Sequence, residues 1–189
     1  MAAQHKNQVR LIGGQYKRRI IHFPDGDGLR PTPDRVRETL FNWLGQDLSG
    51  LDCLDLFAGS GALGFEAASR NARRVVMIEK SRPVYLALDT NRKTIGIERI
   101  DLLQADALAW LGRTADQFDI VFLDPPFASD LLAQVLAQLA PRLKPNAVVY
   151  AECAAWPDLA GWTLSKELKA GAVRCGLLQR ADGTSGDAN

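Results

Sequence analysis

The segment LDCLDLFAGSGALG, residues 51–64, is the most informative part of this sequence about its fold. Its first half is an apolar run typical of a buried strand, and Gly59, Gly61 and Gly64 follow it in a G-x-G-x-x-G spacing. The next apolar run ends at Glu79, 20 residues after Gly59. A strand, a glycine turn, a helix and an acid in this order predict a nucleoside-cofactor site, although a tight turn without a ligand would use the same glycines.

Outward from this stretch, apolar strand-like runs alternate with helix-like segments. The runs that predict strands start near positions 51, 73, 99, 118 and 146, and the final run over residues 162–180 predicts two strands joined near Gly171. Nearly continuous apolar strands linked through helices favour a parallel sheet that is covered on both faces. We therefore predict an α/β, Rossmann-like, doubly wound, seven-stranded and mostly parallel sheet, with an antiparallel C-terminal edge hairpin.

The beginning of the chain has a different pattern. QVRLIGGQYKRRIIHF, residues 8–23, predicts a β-hairpin. RPTPDRVRETLFNWLGQDL, residues 30–48, predicts a helix that Thr32 or Asp34 could cap and that ends at Gly45. A small N-terminal hairpin and helix extension should therefore precede the sheet.

Charge separates this extension from the rest. Residues 1–45 hold eight Lys and Arg against four Asp and Glu, a net charge of +4, whereas the remainder carries −3, which leaves +1 overall. A basic extension on a mildly acidic body favours a polyanion such as nucleic acid at one end, although a solvated charged face has the same composition. We predict a basic extension over 1–45, a main domain over 46–180 and a disordered tail over 181–189.

Several classes of protein are disfavoured by composition. The chain has no run of about 18 apolar residues and no secretory signal pattern. Cys53, Cys153 and Cys175 stand in apolar runs without a CxxC spacing, which is typical of buried free thiols in a cytosolic protein. The two histidines, His5 and His22, both lie near the start of the chain, which disfavours a His-based catalytic or metal centre. We predict a cytoplasmic protein with no membrane association and no metal site.

Acidic residues around the glycine turn narrow the choice of cofactor. Asp55 directly precedes the turn, where a carboxylate would repel a pyrophosphate but would suit a cation such as the α-amino group of S-adenosylmethionine. Glu79 could accept hydrogen bonds from ribose hydroxyls, and Asp106, at the end of the third strand, from an adenine amino group. Either Asp could instead be a helix cap or a solvated strand end. Together they predict S-adenosylmethionine at the carboxyl edge of the sheet.

The fourth strand runs into Asp124-Pro125-Pro126-Phe127, within DIVFLDPPFAS. Each proline fixes its own φ and holds the preceding residue extended, so this bracket is stiff. The Asp124 carboxylate and the Pro125 carbonyl only accept hydrogen bonds, which matches an NH₂ group, and Phe127 offers a stacking face for an unpaired base. The bracket predicts methyl transfer to an exocyclic amino group, with a rigid turn around a buried Phe as the alternative.

These motifs together resemble class I S-adenosylmethionine-dependent methyltransferases that act on amino groups of bases. RPTPDRVRETLFNWL (30–44) with LDLFAGSGALGFEAASR (54–70) is similar to one bacterial family, the 16S ribosomal RNA guanine-N2 methyltransferases that modify a single guanine of the small subunit. The resemblance covers roughly residues 10–180 and departs at Asn71, where the family usually has Gly. It implies an rRNA (guanine-N2-)-methyltransferase that acts as a monomer on 16S ribosomal RNA within a small-subunit particle.

The resemblance also implies roles for individual residues. It assigns catalysis to Asp124, Pro125, Pro126 and Phe127. It assigns the cofactor to Asp55, Phe57, Gly59, Ser60, Gly61, Glu79, Lys80, Asp106 and Ala107. It assigns contacts with RNA phosphates, or a place at the cofactor mouth, to Lys17, Arg18, Arg19, Arg30, Arg35 and Arg37.

Three alternatives stay open. A DNA or RNA adenine-N6 methyltransferase could use the same bracket, although the chain has no spare segment for a DNA target-recognition domain. A non-catalytic RNA-binding ribosome assembly protein would not account for the bracket. A dehydrogenase would account for neither Asp55 nor the bracket.

Overall fold

The computed structural model describes residues 7–25, 29–127 and 130–181. In chain order these residues form β1 (Gln8–Arg10), β2 (Ile20–His22), α1 (Asp34–Leu44), β3 (Asp52–Asp55), α2 (Ala62–Ser69), β4 (Arg74–Glu79), α3 (Arg82–Ile95), β5 (Ile100–Gln104), α4 (Ala107–Leu111), β6 (Phe118–Leu123), α5 (Leu131–Leu139), a 3₁₀ turn (Ala140–Arg142), β7 (Leu143–Cys153), β8 (Trp162–Ala170) and β9 (Val173–Arg180). The predicted disordered tail lies outside the described residues, apart from Ala181.

Seven strands form the central sheet in the order β5-β4-β3-β6-β7-β9-β8. β3 to β7 run parallel, and β9 pairs antiparallel with both β7 and β8. This confirms the predicted fold, including the antiparallel edge hairpin. The chain winds outward in one direction from β3 to β5 and in the other from β6, so a crevice opens at the carboxyl ends of β3 and β6.

Both faces of the sheet are covered. On one face α1, α2, α3 and the N-terminal hairpin share a single core, in which Phe122 contacts Phe41 and Tyr150 with ring centroids 6.1 and 6.4 Å apart. On the other face α4 and α5 cover a second core. None of the described helices has the length and apolar character needed to cross a membrane.

The predicted N-terminal hairpin is present, with β1 and β2 paired antiparallel. Its connecting loop is fastened to the last residue of α2. The backbone N–H of Gln15 donates to the Ser69 carbonyl at 2.6 Å, and that of Tyr16 donates to Ser69 Oγ at 3.0 Å. The hairpin loop therefore lies at the far end of α2 from the glycine turn, roughly 12 Å away for a helix of this length.

The predicted cap of α1 is wrong. The helix begins after Pro33 without a side-chain cap, and it ends at Gly45 as predicted. The Thr32 hydroxyl instead donates to Oε1 of the buried Glu152 at 2.8 Å, and Asp34 pairs with Arg37 at 2.5 Å. Thr32 and Asp34, which the local pattern assigned to the cap, therefore bind charged side chains instead of the helix N-terminus.

Candidate active site

The glycine turn brings α2 close to its neighbours and aims the helix N-terminus at the crevice. Gly61, the residue before α2, has φ 82°, and a Cβ there would lie 2.7 Å from Leu88 Cδ2. A Cβ on Gly64 would lie 2.7 Å from Met77 Sδ on β4. The φ of Gly61 therefore favours glycine, a side chain at Gly64 would displace Met77, and the turn places the N-terminus of α2 at the crevice.

Asp55 ends β3 beneath this turn and is only 2% exposed. Its Oδ2 accepts the Gly64 N–H at 3.0 Å. Burial raises the pKa of Asp55 to about 7, the Gly64 hydrogen bond opposes the rise, and the charge of Glu79 adds to it. A cation placed here would therefore be attracted strongly, since it would offset the cost of burying the charge.

Glu79 joins two loops at the end of β4. Its Oε2 accepts the Gly59 N–H at 3.0 Å, and its Oε1 accepts the Ser81 N–H at 2.7 Å. Each carboxylate oxygen has a second lone pair, so ribose hydroxyls could still be bound.

Asp106 is the N-cap of α4, with Oδ1 accepting the Ala109 N–H at 3.1 Å. Its Oδ2 pairs with Lys80 Nζ at 3.1 Å. The Ala109 N–H and then Lys80 lower the pKa of Asp106. Asp106 therefore caps α4 and also holds an ionised carboxylate at the rim of the crevice, so the adenine contact stays a prediction.

A cavity of about 830 Å³, within the range of small-molecule sites, is lined by Glu79 and Asp106. Six predicted cofactor residues line it: Phe57, Gly59, Glu79, Lys80, Asp106 and Ala107. The sequence did not predict the apolar part of its wall, formed by Leu29, Leu56, Ile78, Val84, Leu108 and Leu131. An apolar wall with acids at the rim suits a purine ring with an attached sugar.

A narrower chamber of about 80 Å³ adjoins this cavity and shares Leu29, Phe57 and Gly59 with it. The residues that line only the chamber include Arg30, Thr32, Asp55, Ser60 and Asp124. Asp55 at the end of β3, predicted to bind the α-amino group, and Asp124 directly after β6, predicted to bind the target amine, therefore line the same small space.

The residues of the bracket after β6 differ in exposure, from the buried Pro125 to the exposed Phe127. Asp124 is partly buried, and its pKa is held well above the usual range by burial and by the charges of Glu152 and Asp55. Pro126 and Phe127 line the large cavity, and Phe127 is 48% exposed. The alternative of a turn around a buried Phe is therefore wrong, since the ring is accessible for stacking.

Comparisons with known proteins agree with this geometry. A family model described as conserved hypothetical protein 95 matches residues 9–179. Ribosomal RNA small subunit methyltransferase D of Escherichia coli strain K12 is 41% identical over 188 residues, covering 96% of this chain and 95% of that protein. The protein of the same name from Haemophilus influenzae is 42% identical over 183 residues, covering 92% and 95%.

This chain belongs to the ribosomal RNA small subunit methyltransferase D family. The solved structure of yhhF from Escherichia coli superposes with a TM-score of 0.84 at 42% identity, covering 92% of this chain and 98% of that one. The family resemblance drawn from the sequence is confirmed, and so is the class I methyltransferase fold. The family model covers α1 and all of the hairpin except Gln8.

For this family member, the structure corrects one predicted RNA contact. Arg37 is fully buried, and its guanidinium pairs with Glu66 at 3.0 Å and donates to the Thr32 carbonyl at 3.1 Å. It cannot reach an RNA phosphate without leaving these partners. The net charge of a segment does not distinguish a buried Arg from an exposed one, which is why the sequence pattern grouped Arg37 with its neighbours.

The remaining basic residues divide between two places. Lys17, Arg18 and Arg19 are exposed on the hairpin loop, at the end of α2 away from the crevice. Arg30 lines the chamber at the crevice, and Arg35 is exposed in the first turn of α1.

Sequence analysis missed one charged residue of the site, Glu152 on β7. It is 5% exposed, and its Oε1 accepts hydrogen bonds from the hydroxyls of Thr32 and Tyr150. A signal was present, because a glutamate inside the apolar run VVYAEC is an unusual residue for a buried strand.

Proposed function

We propose that this chain transfers a methyl group from S-adenosylmethionine to the exocyclic N2 amino group of a guanine in 16S ribosomal RNA. The observation that carries this proposal is the meeting of Asp55 and Asp124 in one chamber beside a nucleoside-sized cavity, with Phe127 exposed at its edge. The names of the relatives support small-subunit ribosomal RNA as the substrate.

The residues present fit S-adenosylmethionine. Asp55 is a buried carboxylate that has a backbone N–H as its hydrogen-bond partner, so it suits the cationic α-amino group. Glu79 at the cavity wall suits the ribose hydroxyls, and Asp106 with the Ala107 backbone suits the adenine edge. When bound, this cofactor supplies an electrophilic methyl group on a positively charged sulfur.

The bracket would act on the base. The lone pair of an exocyclic amine is partly delocalised into the ring, which makes the amine a poor nucleophile. Asp124 and the Pro125 carbonyl would accept its N–H bonds and favour a pyramidal nitrogen with its lone pair toward the methyl group. The Asp124 carboxylate would also stabilise the positive charge that develops on nitrogen, and Phe127 would hold the base by stacking.

The substrate proposal has a direct test. Small ribosomal subunits and naked 16S ribosomal RNA from cells that lack this protein would be incubated with the purified protein and methyl-labelled S-adenosylmethionine. Nucleoside mass spectrometry should then find one N2-methylguanosine per molecule, with transfer to the assembled particle preferred. N6-methyladenosine would point to the adenine alternative, and the absence of transfer to either substrate would point to a non-catalytic RNA-binding protein.

Two further features belong to this proposal. The protein would act as a monomer in the cytoplasm, where small subunits are assembled. The basic hairpin loop and the crevice lie at opposite ends of α2, so a particle surface that spans both ends would suit it better than a short single strand.

A further inference from the structure

Glu152 has no task in the mechanism above, although a buried carboxylate is costly to keep. Thr32 Oγ1 donates to its Oε1 at 2.8 Å, and Tyr150 Oη donates to the same atom at 2.9 Å. Both hydroxyls favour the ionised carboxylate, and neither occupies Oε2.

The sheet register puts Glu152 beside Asp124. Leu123 of β6 is paired with Ala151 of β7, so the next residues on these parallel strands are Asp124 and Glu152. Adjacent strands are about 4.8 Å apart. Two residues earlier on each strand, the rings of Phe122 and Tyr150 contact each other on the α1 face, so both carboxylates point to that same face.

The surroundings of this carboxylate pair are mostly acidic or neutral. The titratable and charged groups around it are Asp55 at the end of β3, Tyr150 and Cys153 on β7, Cys175 on β9, and Arg30 at the chamber wall. Among the described residues no Lys, Arg or His forms an ion pair with either carboxylate. Burial and mutual repulsion therefore raise the proton affinity of the pair, and the two hydroxyls direct the negative charge to Glu152.

We propose that Glu152 is a positioning residue whose carboxylate, held by the Thr32 and Tyr150 hydroxyls, makes Asp124 a better acceptor for the proton that the methylated amine must release. The inference rests on the proposed function. In the step, the nitrogen lone pair forms the N–C bond while the S–C bond breaks and leaves its electron pair on sulfur. The positive charge passes to nitrogen, and the nitrogen then gives its proton to an Asp124 carboxylate oxygen.

The charge of Glu152 matters most at that moment. Before transfer, a cationic sulfur bound in the chamber would favour the ionised form of Asp124. After transfer the sulfur is neutral, whereas Glu152 remains negative, so the proton affinity of Asp124 rises when the nitrogen needs an acceptor. This effect requires that the substrate does not neutralise the charge of Glu152. The position of Glu152, buried behind Thr32 and outside the chamber, meets this requirement.

The first test needs no substrate. The carboxyl carbon of Asp124 would be followed by ¹³C NMR from pH 4 to 10 in the ligand-free protein, with the resonance assigned through Asp124→Asn. Glu152→Gln keeps the size and the carbonyl acceptor of the side chain but removes its charge. The titration midpoint of Asp124 should fall by at least about one pH unit in this variant. An unchanged midpoint would overturn the inference.

The second test follows methyl transfer in a single turnover over the same pH range. Glu152→Gln should lower the rate about tenfold near neutral pH, because the positive charge that develops on nitrogen during transfer is stabilised less, and it should move the acidic limb of the profile to lower pH. A merely structural role predicts an equal loss at every pH with no movement of the limb, which would contradict the inference. Glu167→Gln, the same substitution on an exposed carboxylate of β8, is the matched control and should change neither quantity.

Tyr150→Phe is a second variant, which tests the inference even if Glu152→Gln does not fold. Phe keeps the ring packing but removes one hydroxyl from Glu152 Oε1, so the Asp124 midpoint should move in the same direction by a smaller amount. No movement in either variant would overturn the inference. Failure of the proposed function is distinguishable, because the wild-type protein would then transfer no methyl group while the ligand-free titration still reports on the pair.

Discussion

Two of the regions in which the described residues bury acidic side chains balance that charge differently. In the core beneath the hairpin, Glu66 is fully buried between Arg37 and Arg70, each at 3.0 Å, and it also accepts the N–H groups of Ile12 and Gly13. At the crevice, the partners of the carboxylates of Asp55 and Glu152 are a backbone N–H and hydroxyls, and Asp124 lies between these two acids.

The difference indicates that Glu66 stabilises the fold, whereas the acids at the crevice are available to a ligand. An acid that is paired with two guanidinium groups has few free lone pairs for a ligand. The contacts of Glu66 instead join the hairpin, α1 and α2. Acids that are buried without a cation raise one another's proton affinity and are relieved when a cationic ligand arrives. The same residue type therefore has opposite uses, and substitutions at the two places should have opposite signatures.

The largest effect is expected for Glu66→Ala. It leaves two buried guanidinium groups and two N–H groups without their acceptor, and removing one partner from such a pair costs about 3–5 kcal/mol of unfolding free energy. Thermal and urea unfolding would measure it, and the melting temperature should fall by roughly 10 °C for a domain of this size. Glu98→Ala, at an exposed position, is the control and should change little. A Glu66→Ala protein as stable as the wild type would break the comparison.

This paired cluster also marks the limit of what the sequence could predict. The strands, the glycine turn and the acids at the strand ends follow from local periodicity and spacing, and the structure has all of them. The partners of Arg37 and Thr32 do not follow, because Glu66 is 29 positions from Arg37 and Glu152 is 120 positions from Thr32. The local patterns that assigned Arg37 to RNA and Thr32 to a helix cap contain no information about these distant acceptors.

At the crevice, Asp124→Ala should lower kcat by roughly 10²-fold or more, comparable with removing a preorganised partner of a transition state. The affinity for S-adenosylmethionine should stay nearly constant, and the melting temperature should not fall as it does for Glu66→Ala. Calorimetric titration and steady-state kinetics would measure these quantities. Full activity in Asp124→Ala would refute the catalytic assignment of the bracket.

Asp124→Asn divides the role of this carboxylate further. The amide oxygen can still accept an N–H bond, but it neither neutralises developing charge nor takes a proton. Partial activity would support orientation of the amine as the main role. Complete loss of activity with intact cofactor binding would support charge stabilisation and proton transfer, in agreement with the task inferred for Glu152.

Asp55→Asn should stabilise the ligand-free protein and weaken the cofactor complex. The pKa of Asp55 is raised to about 7, so the unfolded chain ionises first, and the stability that this group contributes below about pH 4 is lost as the pH rises through 7. The melting temperature of the variant relative to the wild type should therefore rise by a few °C between pH 4 and 8. Its affinity for S-adenosylmethionine should fall by about 1–3 kcal/mol.

Differential scanning fluorimetry and calorimetric titration across this pH range would measure both effects of Asp55→Asn. The wild-type affinity should itself increase as the pH rises through 7, because a cation binds the ionised carboxylate. Asp158→Asn, on an exposed loop, is the control for the substitution and should be silent in both measurements. A constant difference in melting temperature from pH 4 to 8 would mean that Asp55 is not held in its protonated form.

The smallest effect per residue is expected for the exposed charges of the hairpin loop. Replacing Lys17, Arg18 and Arg19 together with Ala should weaken RNA binding and reduce the salt dependence of log Kd by about 1 for each phosphate that the variant no longer neutralises. Fluorescence anisotropy at several salt concentrations would measure the slope. Cofactor affinity and melting temperature should stay constant, because the loop lies at the end of α2 away from the crevice.

Arg113→Ala, at an exposed position after α4, is the control for removal of a positive charge. An unchanged slope in the triple variant would remove the hairpin loop from the RNA-binding surface and leave Arg30 at the chamber and Arg35 on α1 as the predicted basic contacts.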